Sequence, residues 1–177
     1  MSQIIYTIDP AHSTAGFKVR HLMVSWVRGE FSGVAGTVVY DPEHPENSRV
    51  EATIDVATLH TRDEQRDAHL KSADFFDVEK YPTITFVSKK VEKVGEREGK
   101  LMGDLTIHGV TKEVVLDVEG PAPEVKDPWG NIKSGVSAAT KIKRSDFGLV
   151  WNAPLEAGGV LVGDEVHISL ELELLRK

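Results

Sequence analysis

Residues 166–174, VHISLELEL, alternate without a break: Val166, Ile168, Leu170, Leu172 and Leu174 fall on one face, and His167, Ser169, Glu171 and Glu173 on the other. A period of two puts successive side chains on opposite sides of a pleated strand, so this stretch predicts a β-strand with one dry face and one wet face. The alternation recurs at 50–56, where Val50, Ala52, Ile54 and Val56 oppose Glu51, Thr53 and Asp55. It returns at 101–107, where Leu101, Gly103, Leu105 and Ile107 share a face, and at 114–118 with Val114, Leu116 and Val118. Residues 4–8, 14–20, 30–40, 83–91 and 132–143 complete a set of about eight or nine strands.

Turn chemistry separates the strands: DPEHPENS at 41–48, VGEREGK at 94–100, PAPEVKDPWGN at 121–131 and Ala157-Gly158-Gly159. His108-Gly109 lies between two alternating runs and predicts a tight hairpin, with Gly109 free to take positive φ. With no repeat, linker or low-complexity tract in 177 residues, the chain reads as a single domain spanning 1–177. Sequential hairpins give an all-β antiparallel meander, folded as a sandwich or closed into a barrel. Closure removes exposed strand edges and favours the barrel.

One segment departs from the strand pattern. Thr61-Arg62-Asp63-Glu64 has the spacing of a capping box and predicts a short helix over about 62–72. Its acids lie near the positive end of the helix and Lys71 near the negative one. Only Ala68 and Leu70 are apolar, which makes it a surface helix. DFFD at 74–77 follows as a second short turn, from which Phe75 and Phe76 project about a hundred degrees apart into one apolar region. Asp74 and Asp77 cap that turn more simply than they form an acid and base pair. Pro82 suits the first position of a strand.

Composition removes several functions. A net charge of -7 and a pI of about 5.5, with no long Lys or Arg block, argue against a nucleic-acid partner. The absence of cysteine excludes disulfides, thiolate metal sites and cysteine nucleophiles. The amino terminus carries no leader pattern, and LMVSWV is too short to span a bilayer, so the expected location is the cytoplasm, or the periplasm if a leader has been removed. His12, His21, His44, His60, His69, His108 and His167 show no metal-ligand spacing, no GxSxG frames a serine, and Asp146-Phe147-Gly148 stands alone as a turn. No metal, cofactor or catalytic residue is expected.

What remains is apolar and aromatic: Phe17, Leu22, Met23, Trp26, Phe31, Tyr40, Phe75, Phe76, Phe86 and Trp151. These fill a core, or some of them line a cavity, since a barrel of about eight strands is just wide enough for one small ligand. Leu22 to Val27 is too uniformly apolar for an alternating strand and suits a segment lying across a barrel mouth.

The chain also resembles the YceI-like domain family almost end to end. The resemblance is carried by Ile8-Asp9-Pro10 with His12-Ser13, Phe17 with Arg20-His21, Arg28-Gly29 with Phe31, and above all the block from Arg66-Asp67 through His69-Leu70 and Ser72–Asp77 to Tyr81-Pro82. Phe86-Val87-Ser88, Gly103–Ile107 with Gly109-Val110-Thr111, Arg144–Gly148 and Val162–Val166 continue it. The resemblance implies a lipocalin-like antiparallel β-barrel, a long-chain amphiphile such as a polyisoprenoid, a quinone or a fatty amide as partner, no catalytic activity, and a homodimer. Many members of the family carry a signal peptide and are periplasmic.

The expectation is therefore noncatalytic carriage or sequestration of an isoprenoid-type lipid. Phe17, Leu22, Met23, Trp26, Phe31, Phe75, Phe76, Phe86 and Trp151 are expected against the chain, and Arg20, His21, Asp67 and His69 near the headgroup. Two other readings stay open: a metal-dependent or hydrolytic enzyme using the histidines and the 63–77 carboxylates, and a dimeric interaction domain with a solid core.

Overall fold

The alternating segments form strands, and the strands close on themselves. The computed structural model describes residues 3–156 and 158–177. Its strands are β1 (Ile4–Ile8), β2 (Thr14–His21), β3 (Ser25–Phe31), β4 (Val34–Tyr40), β5 (Arg49–Asp55), β6 (Leu59–His60), β7 (Thr83–Lys93), β8 (Glu98–Ile107), β9 (Val110–Glu119), β10 (Val125–Lys126), β11 (Ile132–Lys143) and β12 (Val162–Arg176), with one α-helix, α1 (Glu64–Lys71), between β6 and β7. Eight of them, in the order β11-β9-β8-β7-β5-β4-β1-β12, pair antiparallel, and β11 pairs with β12 to shut the barrel. The His108-Gly109 turn joins β8 to β9 with positive φ at both residues.

The opening stretch of the sequence lies in β12, the longest strand. One edge of β12 pairs with β11 from Lys133↔Leu175 to Lys143↔Glu165. The other edge pairs first with β2, from Val162↔His21 to Glu171↔Thr14, and then with β1 at Leu174↔Ile8. β1 and β2 are thus one edge broken at Asp9–Ser13, where Asp9 caps a 3-10 turn that begins at Pro10. Beyond β2 the sheet continues through β3 to β6. α1 and the turn after it bring Leu70, Phe75 and Phe76 to the barrel interior.

Three expectations change. The run 30–40 is two strands, because Gly33 breaks it and donates its N–H to the Thr58 hydroxyl at 3.0 Å. Leu22 to Val27 does not lie across a mouth. Leu22 and Met23 turn the chain between β2 and β3, and Trp26 and Val27 are ordinary positions of β3. The helix is capped by Asp63, whose carboxylate accepts from the Arg66 N–H at 3.1 Å, and not by Thr61. Thr61 is only 4% exposed, and its N–H and hydroxyl are both taken by the Asp67 carboxylate, at 2.8 and 2.5 Å.

Candidate functional site

Inward parity builds the site. Val50, Ala52 and Ile54 of β5, Val114, Leu116 and Val118 of β9, and Val166, Ile168, Leu170 and Leu172 of β12 all face a cavity of about 350 Å³. Many of these apolar residues are only partly buried although they point inward, which follows when the interior is a void and not a packed core. The barrel is not solid. Volumes of about 300–1,000 Å³ are those of small-molecule sites, so this one suits a slender ligand.

One end is shut by rings. Phe76 stacks edge-on against Phe31 with centroids 5.7 Å apart, and Phe31 meets Phe17 at 5.7 Å. Phe75, only 7% exposed, faces Trp151 at 5.4 Å, and His69 touches both. The DFFD turn aims the two phenylalanines through its backbone. Phe76 donates to the Leu70 carbonyl at 2.9 Å, Phe75 and Asp77 both donate to Ser72, and Asp77 takes φ 51°. Asp74 does not cap the turn as expected: its carboxylate accepts from His69 Nε2 at 2.9 Å.

Behind this wall sits Arg144, a residue whose role alternation did not reveal. It is 6% exposed and lines the cavity. Its guanidinium donates to the carbonyls of Leu149 (2.7 Å), Gly163 (2.8 Å), Trp151 (2.9 Å) and Val162 (3.2 Å). Burial lowers its pKa, and the nearby Asp164 charge works in the other direction. Arg144 therefore ties 149–151 to the start of β12. Asp146-Phe147-Gly148 forms the turn expected of it, with Gly148 at φ 75° and Phe147 buried.

The opposite end is open. The exposed residues of the lining are Pro42, on the β4–β5 connection, and Glu92, Lys93, Glu96, Arg97, Glu98 and Lys100, around the β7–β8 turn. Arg97 donates to the Pro121 carbonyl at 3.1 Å, and Lys100 pairs with Asp117 at 2.8 Å. A charged rim of both signs thus surrounds an apolar bore. The turn VGEREGK was legible as a turn, but nothing local in it says that it borders the mouth.

Of the expected apolar contacts, Phe17, Phe31, Phe75, Phe76 and Phe86 line the cavity. Trp151 stands behind Phe75 and outside the lining. Leu22, Met23 and Trp26 lie on the β2–β3 hairpin and away from the cavity. None of the four expected headgroup residues reaches the interior. Arg20 lies over the Trp26 ring at 4.4 Å, His21 ends β2, Asp67 binds Thr61, and His69 binds Asp74.

The histidines are dispersed. His60 bonds Glu30, His69 bonds Asp74 and His167 approaches Glu165. Among the described residues, Asp9, His12 and Glu173 form the one group of three with donor atoms close enough for a metal. Lys133 Nζ already lies 3.0 Å from Glu173 and 3.5 Å from Asp9, so a protein cation balances that charge. No helix among the described residues is long and apolar enough to cross a membrane.

Comparison with known proteins finds a family match for the chain. The YceI-like domain model matches residues 6–174. A UPF0312 protein of Photorhabdus laumondii is 43% identical over 144 residues, covering 80% of this chain and 74% of that one. The crystal structure of BcnA from Burkholderia cenocepacia superposes with a TM-score of 0.79 at 26% identity, covering 94% of this chain and 98% of that one. A polyisoprenoid binding domain from Saccharophagus degradans has the same fold, with a TM-score of 0.69 at 16% identity, covering 98% and 99% of the two chains.

Proposed function

The chain belongs to the YceI-like domain family, and we propose that its barrel binds an isoprenoid-type lipid or a similar long-chain amphiphile without transforming it. The chain of the ligand lies in the bore with its end against Phe76, Phe31 and Phe17, and the polar end rests among the charges of the rim. The carrying observation is the cavity itself: about 350 Å³, apolar along its walls, closed by aromatic rings at one end and open at a charged rim. The Saccharophagus domain, described as polyisoprenoid binding, supports the class of ligand.

The energetics are adequate. Burying about ten methylenes contributes roughly 8 kcal/mol at about 0.8 kcal/mol each. Lost translational and rotational freedom takes back several kcal/mol, so a cavity already formed is what leaves a useful affinity. Carriage and sequestration both follow from such a site, and neither needs a catalytic group.

Native mass spectrometry of the purified protein, before and after organic extraction, tests the reading. The expected result is an adduct with a prenyl-chain mass that extraction removes and an added prenyl alcohol restores. An unliganded protein that takes up neither prenyl alcohols nor prenyl quinones would overturn it.

A further inference from the structure

The β2–β3 hairpin breaks the usual chemistry of its turn. The loop is three residues long, Leu22 to Val24, between the paired His21 and Ser25, and its first two positions take the left-handed conformation that favours Asn and Gly. Here Leu22 (φ 55°) and Met23 (φ 61°) occupy them, and Val24 donates to the His21 carbonyl at 3.1 Å. The left-handed region is unfavourable for any residue with a Cβ, and these two are bulky. They are also not hidden: Leu22, Met23 and Val24 are 40%, 55% and 76% exposed. The fold keeps a contiguous aliphatic tip in water where a polar turn would suit the backbone better.

The strands behind the tip carry charge of one sign. Lys18 and Arg20 of β2 and Trp26 and Arg28 of β3 share the outward face, with Arg20 4.4 Å and Lys18 4.8 Å from the Trp26 ring centroid. Glu30, the one carboxylate of the two strands, is bonded to His60 at 2.9 Å. Alongside, Lys141 of β11 adds a cation, Glu165 of β12 approaches His167 at 3.1 Å, and Asp117 of β9 is held by Lys100 at 2.8 Å. On a chain of net charge -7 this face is locally cationic.

Behind the aliphatic tip come Trp26 level with Arg20, and then Lys18 level with Arg28, which suits the acyl boundary, the interface and the phosphates that a bilayer presents in turn. We infer that the β2–β3 hairpin docks on an anionic lipid bilayer, with Leu22, Met23 and Val24 at the acyl boundary and Lys18, Arg20 and Arg28 against lipid phosphates. This does not rest on lipid binding inside the barrel. The hairpin tip bonds to Leu161 at the start of β12, while the rim of the cavity lies toward the end of that strand. Docking and loading are therefore separate events and are measured separately.

Vesicle flotation tests the inference, with mixed phosphatidylcholine and phosphatidylglycerol vesicles compared with phosphatidylcholine alone. The protein should float with the mixed vesicles at low salt and be released at high salt. Leu22→Asn combined with Met23→Gly supplies the residues that the turn prefers. This variant should melt at a higher temperature and yet lose flotation by roughly tenfold or more. Arg20→Glu with Arg28→Glu should abolish the preference for phosphatidylglycerol. A parent protein that does not float, or an Asn-Gly variant that floats as well as the parent, overturns the inference. So does a light-scattering result in which the tip instead holds two copies together and the Asn-Gly variant separates them. Loss of prenyl binding with flotation intact would count only against the proposed function.

Discussion

Asp164 accepts from the Ser145 N–H at 2.9 Å and from the Ser145 hydroxyl at 2.7 Å, and so holds the turn after β11 against the start of β12. Partial burial works against its ionisation, but the Ser145 hydrogen bonds and the Arg144 and Lys143 charges outweigh it and hold the carboxyl below the usual aspartate range. A depressed folded value means that the contribution to stability is full above the unfolded value of about 3.9 and is lost as pH falls through the folded one. Asp164→Asn lacks that contribution at every pH. The difference in Tm between parent and variant should therefore be largest above about pH 5 and close in acid, and a difference that stays constant down to strongly acid pH would contradict the account. The same scale shows what the sequence offered and what it hid. Phe17 and Val19 face inward, so alternation alone puts Arg20 outward, and the headgroup assignment of Arg20 could have been rejected from parity. Asp67 gave no such warning, because its partner Thr61 is six residues away across the loop in which Arg62 takes φ 68°. Arg144 could not be recognised either, since its carbonyl partners lie 5 to 19 residues away and carry no side-chain signature.

Among the elements, α1 shows most clearly how local and tertiary preferences compete. Its acids Glu64 and Asp67 sit in the first turn and His69 and Lys71 in the last, as the dipole favours. The capping-box pattern still misplaced its start, because Thr61 is recruited by Asp67 and Arg66 to close the loop, leaving Asp63 to cap. Asp63→Ala should cost about 1 kcal/mol of stability, read from urea unfolding, whereas Thr61→Ala leaves the Asp67 carboxylate and the Arg66 guanidinium short of a partner and should cost more. Equal costs would mean that the Thr61 links contribute nothing beyond a cap. The strands were easier to read: alternation located β5, β8, β9 and β12 to within a few residues, since each has one apolar face. The β2–β3 turn was not legible, because its Leu and Met violate the turn chemistry on which such readings depend.

At the level of the whole molecule, the barrel was legible from strand number and alternation together with the family resemblance, but the direction of its cavity was not. Which end is walled depends on where the connections after β6 and β11 fold back, and the period of a strand carries no information on that. If the bore holds the ligand chain, filling it should abolish uptake while sparing the fold. Ala52 faces the bore from β5, and Ala52→Trp should reduce prenyl-chain uptake at least tenfold, an order-of-magnitude expectation from the area displaced, with the circular dichroism spectrum unchanged. Retained uptake in a folded variant would place the ligand elsewhere. The closure of the barrel has a further consequence, for the order of events in synthesis. β12 is the last barrel strand in chain order, and it supplies the second partner edge of β1, β2 and β11. Until it leaves the ribosome, three apolar strands wait with unpaired edges, and the contact that joins Ile8 to Leu174 spans nearly the entire chain. Such a closing step is slow and leaves an adhesive intermediate, so the nascent chain is most in need of a chaperone just before its final fifteen-residue strand appears.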